Sequence, residues 1–238
     1  MPARRLARPL AAGLAAAAAL SALAALAAGP TDDGPQPVDT AGLPGLGSGD
    51  EAWLTENPYR GMGTEVFLRA VEVGDSGYNQ NCARCHGIGA ISGGLAPDLR
   101  FLEAEEYGDE WYAERFRFGM TQNGATKMPA FGEVLGQEAA WAIRSYIETR
   151  PDDQQVVEAA PRLSELRDRL AAAADDPASA DAEALRADLL ALNASFGTLS
   201  GAPVADSSAA QAARLIAGDD PRFREAAQAI TVDLSVAR

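Results

Sequence analysis

The position of the cysteines and the histidine constrains this chain more than any other feature of its sequence. Both cysteines and the single histidine fall within five consecutive residues, Cys82-Ala83-Arg84-Cys85-His86. Because the other 233 of the 238 residues include no cysteine or histidine, a zinc site made only of these ligand types is excluded. Any cofactor that needs thiol and imidazole groups must bind at this one point.

The spacing of the three side chains is typical of covalent haem attachment. On a helix, residues i, i+3 and i+4 share a face, so Cys82, Cys85 and His86 can reach one flat group. The two thiols would add across the vinyl groups of a haem, and the imidazole would coordinate its iron. A structural disulfide or a thioredoxin-like pair would leave His86 unexplained, and the latter expects a βαβ context. The sequence therefore predicts one covalently bound haem c.

The second axial ligand of the iron is open to several residues, because the chain has no second histidine. The candidates are Met62, Met120, Met128, Lys127 or an open site. Met128 is preferred, since it precedes Pro129 in a loop that could cross the far face of the haem. Methionine ligation raises the reduction potential relative to two histidines and favours electron transfer over catalysis.

Residues 1–28 are predicted to be a secretory signal peptide. Three arginines precede an uncharged Ala/Leu stretch that ends in small residues. An uncleaved N-terminal membrane anchor is the alternative, and it is disfavoured because alanine is only weakly apolar. In either case the remaining chain is expected outside the cytoplasm, in the periplasm, where c-type haem is attached.

The rest of the chain divides by composition. Residues 29–50 contain ten Gly or Pro and are expected to form a linker that packs poorly. Residues 51–150 hold every Trp and Tyr and are predicted to be the folded core. Residues 151–238 are rich in Ala and Leu at helical spacing, which predicts a loosely packed helical extension of unknown role. The net charge of −14 makes nucleic acid an unlikely partner, because phosphate binding needs basic patches.

The pattern within residues 51–150 predicts an all-α fold. Helices are expected over about 75–85, 109–118 and 135–149, with Asp75 or Ser76 as the first N-cap. No segment alternates at period two, so little or no sheet is expected.

These elements resemble class I cytochromes c. The resemblance lies in Gly77-Tyr78 before the cysteines, Ala96-Pro97-Asp98-Leu99, Met128-Pro129, and a closing helix with Trp141 and Tyr146. It implies that the first and last helices cross, that the Pro97 carbonyl accepts a hydrogen bond from His86, and that Trp111 binds a haem propionate. Arg100, Arg115 and Arg117 are expected to be surface charges rather than propionate partners.

Longer phrases are similar to the periplasmic c-550 cytochromes that serve quinoprotein alcohol dehydrogenases. They cover residues 53–60, 108–111 and 128–135, within a resemblance that spans about 50–150. The resemblance implies an electron carrier rather than an enzyme, with a PQQ-dependent alcohol dehydrogenase as donor and a route toward a terminal oxidase. The alternatives are a cytochrome subunit tethered to a larger oxidoreductase, and a haem enzyme or sensor with an open sixth site.

Overall fold

A computed structural model of the protein describes residues 34–47 and 53–236, so the predicted signal peptide lies outside the described residues. The described part is mainly helical. Its α-helices are α1 (Thr64–Asn81), α2 (Ala83–His86), α3 (Glu106–Phe118), α4 (Gly132–Glu148), α5 (Asp153–Glu158), α6 (Ala160–Asp175), α7 (Ala182–Asn193), α8 (Ser208–Leu215) and α9 (Phe223–Val236). Short 3-10 helices cover Pro58–Gly61, Ile88–Ala90, Leu99–Phe101 and Pro177–Ser179. Within the described ranges, none of the helices is long and apolar enough to cross a membrane.

The first predicted helix begins earlier than expected. Helix α1 starts at Thr64, eleven residues before the expected N-cap Asp75, and its own N-cap is Gly63. Gly63 has a φ of 87°, a left-handed conformation that glycine adopts at low cost and that separates the helix from the preceding turn. Helices α3 and α4 lie within three residues of the expected bounds at each end.

Helices α1 and α4 cross at a point of very close backbone approach. A Cβ atom on Gly74 would overlap the carbonyl oxygen of Ala142, and would lie 2.9 Å from Cβ of Tyr146. One turn further along α1, the Tyr78 and Tyr146 rings pack with centroids 5.2 Å apart. The crossing that the resemblance implied is therefore present, with Gly74 as the residue at closest approach.

A short antiparallel hairpin joins α3 to α4, which agrees with the expectation of little or no sheet in residues 51–150. Strands β1 (Met120–Gln122) and β2 (Ala125–Met128) pair with Met120 opposite Met128. The turn residues Asn123 and Gly124 have φ values of 52° and 75°, the two positive values that a tight hairpin turn needs.

A buried ion-pair network ties α3 and α4 to the segment before α1. Arg60 contacts Asp109 and Glu148 at 2.6 Å each, and Arg144 contacts Asp109 at 2.8 Å. The side chains of Asp109, Arg144 and Glu148 are completely buried. Because buried charges of opposite sign compensate each other, removal of one partner would leave a charge without solvent or counterion.

The segment expected to be a poorly packing linker instead packs on the fold over residues 35–47. Val38, Leu43 and Leu46 are partly buried against the core around α1 and α4. The backbone N–H of Leu46 donates to Glu138 at 2.8 Å, and the N–H of Gln36 donates to Asn81 at 2.6 Å. The Gly and Pro residues leave the backbone extended, and distant side chains satisfy its polar groups.

The C-terminal extension has its own hydrophobic core, so the expectation of loose packing is wrong. Leu163, Leu166, Leu170 and Leu189 are all completely buried in a cluster built from α6, α7, α8 and α9. Asp181 caps the N-terminus of α7, since its side chain accepts a hydrogen bond from the N–H of Ala184 at 2.9 Å. Apolar side chains at helical spacing bury one stripe of each helix, and this burial stabilises the bundle.

Candidate haem site

Cys82 joins the end of α1 to α2, and Cys85 and His86 lie in α2. The N–H of Cys82 donates to the Tyr78 carbonyl at 2.8 Å, and the N–H of His86 donates to the Cys82 carbonyl at 2.9 Å. The two thiols are not joined in a disulfide, and Cys82 packs against the core while Cys85 is exposed. The backbone therefore holds both thiols and the imidazole within five residues of one another.

The protonation of Cys82 argues against a reactive redox pair. Burial, followed by the nearby Cys85, raises the pKa of Cys82 to about 12. A thiol of that pKa is protonated at neutral pH, whereas thioredoxin-like chemistry needs an accessible thiolate.

The surrounding backbone holds the imidazole of His86 in a fixed orientation. Its Nδ1 lies 2.9 Å from the Pro97 carbonyl oxygen, the contact that the resemblance implies, and only 9% of the residue is exposed. A carbonyl only accepts, so Nδ1 carries the proton and Nε2 keeps the lone pair that a metal would bind. The hydroxyl of Tyr78 donates to the Gly87 carbonyl at 2.8 Å and fixes the chain just after the imidazole.

Met128, Met120 and Met62 differ in their surroundings. Met128 is partly buried against the core that Cys82 also contacts. Met120 is 41% exposed and pairs with Met128 across the hairpin, and directly opposed residues of a hairpin project to the same face. Met62 is 37% exposed at the end of the 3-10 helix Pro58–Gly61. The hairpin therefore presents two methionines where the sequence singled out one.

Gly119 allows the chain around Met128 to come close to the end of α3. Its φ is 67°, and a Cβ atom there would overlap the Met128 carbonyl oxygen and lie 2.7 Å from the carbonyl carbon of Pro129. The N–H of Phe131 donates to the Phe116 carbonyl at 2.8 Å, which fixes the other side of the loop. The methionine loop, which we define as residues 128–131, thus approaches α3 only because Gly119 has no side chain.

Buried donors without partners test whether the fold suits a haem. The hydroxyl of Tyr59, Nε1 of Trp141 and Nη1 of Arg144 are buried and have no hydrogen-bond partner in the described part of the chain. Buried donors are almost always paired, so each of these atoms points to an acceptor that the protein itself does not supply. Haem propionates are acceptors of this kind.

The apolar side chains in the segments after His86 also suit a haem. Ile88, Leu95 and Phe101 lie in the loops that follow the imidazole, and they are 67%, 76% and 63% exposed. Large apolar side chains at such exposure are available to contact an apolar ligand.

The sequence did not predict the buried, unpartnered donors of Tyr59, Trp141 and Arg144. The tryptophan with a buried, unpartnered indole N–H is Trp141, whereas Trp111 is partly exposed beneath the Arg115 guanidinium at 5.3 Å from the ring. The role of Trp111 in propionate binding stays a prediction. No signal in the sequence separates these tryptophans, because only the folded core shows which indole lacks an acceptor.

Arg100 does not lie where the sequence predicted. It was expected at the surface, but it is only 3% exposed and contacts Asp98 at 2.7 Å and Asp153 at 2.8 Å. Although burial opposes ionisation of Asp98, hydrogen bonds from Arg100 outweigh it and lower the pKa of this carboxyl. Arg115 and Arg117 lie over the rings of Trp111 and Trp53.

Fold and site together define a c-type cytochrome: a helical domain in which two thiols and a histidine share one turn. Residues 69–147 match the family described as "Cytochrome C oxidase, cbb3-type, subunit III". Cytochrome c550 of Pseudomonas aeruginosa is 51% identical over 127 residues, which cover 53% of this chain and 85% of that protein. The chain therefore belongs to the cytochrome c550 family of c-type cytochromes.

Two larger proteins share a shorter segment with the chain. They are the quinohemoprotein alcohol dehydrogenases ADH-IIG and ADH IIB of Pseudomonas putida, 33% and 39% identical over 84 and 83 residues. The matched segments are 35% and 34% of this chain but only 11% of each dehydrogenase. No solved structure matches the chain. As a member of the c550 family the protein carries one covalently bound haem c and transfers electrons; it is not an enzyme.

Proposed function

We propose that this protein is a periplasmic carrier that takes electrons from a PQQ-dependent alcohol dehydrogenase and passes them toward a terminal oxidase. The observation that carries the proposal is the match to cytochrome c550 across 85% of that protein. The donor is supported by the segments shared with two quinohemoprotein alcohol dehydrogenases. The location is supported by the arginine-led Ala/Leu stretch of residues 1–28, which has the layout of an export signal.

The residues that would hold the haem are the ones brought together at the end of α1. Cys82 and Cys85 would form the thioether bonds, and Nε2 of His86 would bind the iron on one side. Met128 would bind on the other side, from the loop whose position Gly119 allows. When bound, haem supplies an iron that gains and loses one electron without rearrangement of bonds.

The chain itself tunes and protects that electron transfer. The Pro97 carbonyl holds the proton on Nδ1 of His86 and so fixes the tautomer that binds metal. The unpartnered hydroxyl of Tyr59 and indole N–H of Trp141 would be available as donors to haem propionates.

Mixing with a reduced dehydrogenase tests the donor assignment. The haem-loaded protein is expected to be reduced rapidly when a quinoprotein alcohol dehydrogenase and an alcohol are present, as followed by stopped-flow absorbance. The control omits the alcohol. Reduction no faster than this control would remove the dehydrogenase as donor and leave the electron-carrier function intact.

A further inference from the structure

The two loops that flank His86 are each held by an arginine. On one side, the Gly89 carbonyl accepts a hydrogen bond from Nε of Arg150 at 3.3 Å. On the other side, Asp98 follows the Pro97 carbonyl that contacts the imidazole, and it accepts from Nη2 of Arg100 at 2.7 Å. The orientation of the imidazole thus depends on loops that two guanidinium groups hold in place.

Each of these arginines is bound in turn by an aspartate of the C-terminal extension. Arg100 donates from Nη1 to Asp153 at 2.8 Å, and Arg150 donates from Nη1 to Asp206 at 2.8 Å. Arg150 also donates to the backbone carbonyl of Asp206 at 3.0 Å. Both side chains of the Arg150–Asp206 pair are buried, at 12% and 3% exposure, so water screens this pair little. In the other pair, Arg100 is 4% exposed and Asp153 is 40% exposed.

Other contacts keep the extension attached independently of these aspartates. The Ser200 hydroxyl donates to the Glu148 carbonyl at 2.5 Å, and the Ser200 carbonyl accepts from the N–H of Ala104 at 2.9 Å. The N–H of Ala205 donates to the Thr149 carbonyl at 3.3 Å. Replacement of one aspartate should therefore loosen one loop without detaching the bundle.

We propose that the C-terminal extension clamps the two loops beside His86 and so sets the hydrogen bond between its Nδ1 and the Pro97 carbonyl. Asp153 and Asp206 are positioning residues, which act through Arg100 and Arg150. A firm bond at Nδ1 makes the imidazole a stronger electron donor to iron and favours the ferric state. The extension then lowers the reduction potential of the haem. This inference rests on the proposed role of His86 as iron ligand.

The test compares three isosteric variants of the full-length, haem-loaded protein: Asp153→Asn, Asp206→Asn and the control Asp188→Asn. Asp188 also belongs to the extension and also pairs with an arginine, Arg169 at 2.6 Å, but both residues lie within the extension bundle. All three variants lose one negative charge. The readouts are the exchange rate of the His86 Nδ1 proton in the ferrous state by NMR and the reduction potential by spectroelectrochemistry.

The proposal predicts that Asp153→Asn and Asp206→Asn exchange this proton roughly tenfold faster, a factor equal to about 1.4 kcal/mol. Both should also raise the potential, while Asp188→Asn leaves exchange unchanged. Asp153→Glu, which keeps the charge that pairs with Arg100, should restore slow exchange.

An unchanged exchange rate of the Nδ1 proton in both variants would overturn the proposal. A shifted reduction potential without faster exchange would overturn it too, because loss of the aspartate charge alone can shift the potential through space. Failure of the proposed role of His86 as iron ligand would look different. In that case the optical spectrum of the wild-type protein would lack histidine ligation, before any variant is compared.

Discussion

Substitution of Gly74 by alanine tests the crossing of α1 and α4 on which the domain depends. The new methyl group would overlap the Ala142 carbonyl oxygen and lie 2.6 Å from its carbonyl carbon. These are backbone atoms of another helix and cannot rotate away, so the helices must separate. Overpacking of this kind costs about 1–3 kcal/mol, and the upper end applies where backbone must shift.

The gain in helix propensity opposes this cost only in part. Alanine is favoured over glycine by about 1 kcal/mol in a helix interior. We therefore expect Gly74→Ala to lower the free energy of unfolding by about 2 kcal/mol net. For a chain of this size that lowers Tm by roughly 4–8 °C.

Gly77 provides the matched control, one turn along the same helix. A Cβ atom there would lie 3.1 Å from Cγ1 of Ile143 and 3.1 Å from Cγ2 of Val38, both side-chain atoms that can move by a few tenths of an ångström. The propensity gain then offsets the contact, and Gly77→Ala should stay within about 1 kcal/mol of the wild type. Thermal melts of the haem-loaded protein, followed by circular dichroism, measure both. Equal stability of the two variants would refute the close approach at Gly74.

Three further predictions concern the methionine loop and a buried carboxyl. Gly119→Ala should displace the loop and reduce the methionine-ligated fraction in the optical spectrum, whereas Gly124→Ala, at a φ of 75° with no atom within 4 Å, should keep the wild-type spectrum. Met128→Ala should give a high-spin or water-bound haem of lower potential, and a change of that kind in Met120→Ala alone would assign the ligand to Met120 instead. Burial and Asp206 raise the pKa of Asp75, so its ionisation costs stability as pH rises through that pKa. Asp75→Asn should accordingly raise Tm at pH 8 and lose this advantage below about pH 4, where both states are protonated; a pH-independent effect would contradict the burial argument.

The chemistry of the site was readable from the sequence because it is local. Cys82, Cys85 and His86 lie within one helical turn, and the Pro97 contact follows eleven residues later. The hairpin was also within reach, since Asn123-Gly124 is a strong hairpin signal that the lack of alternating hydrophobicity obscured. Leucines at helical spacing likewise placed the helices of the extension.

The features that the sequence did not predict depend on partners far apart in the chain. The segment 35–47 packs because Glu138 and Asn81 satisfy its backbone, 92 and 45 residues away. Arg100 is buried between two counterions, Asp98 and Asp153, and the second of them lies 53 residues away. Such pairs leave no periodic pattern, so composition alone gave a linker and a surface charge.

The central claim is that one covalently attached, six-coordinate haem makes this protein an electron carrier. Optical spectra of the purified protein, oxidised and reduced, with carbon monoxide added to the reduced form, test it most directly. We expect a low-spin haem that stays with the polypeptide under denaturing conditions, shows the charge-transfer band of methionine ligation when oxidised, and binds carbon monoxide slowly or not at all. A high-spin spectrum with rapid carbon monoxide binding would contradict it and indicate an open sixth site.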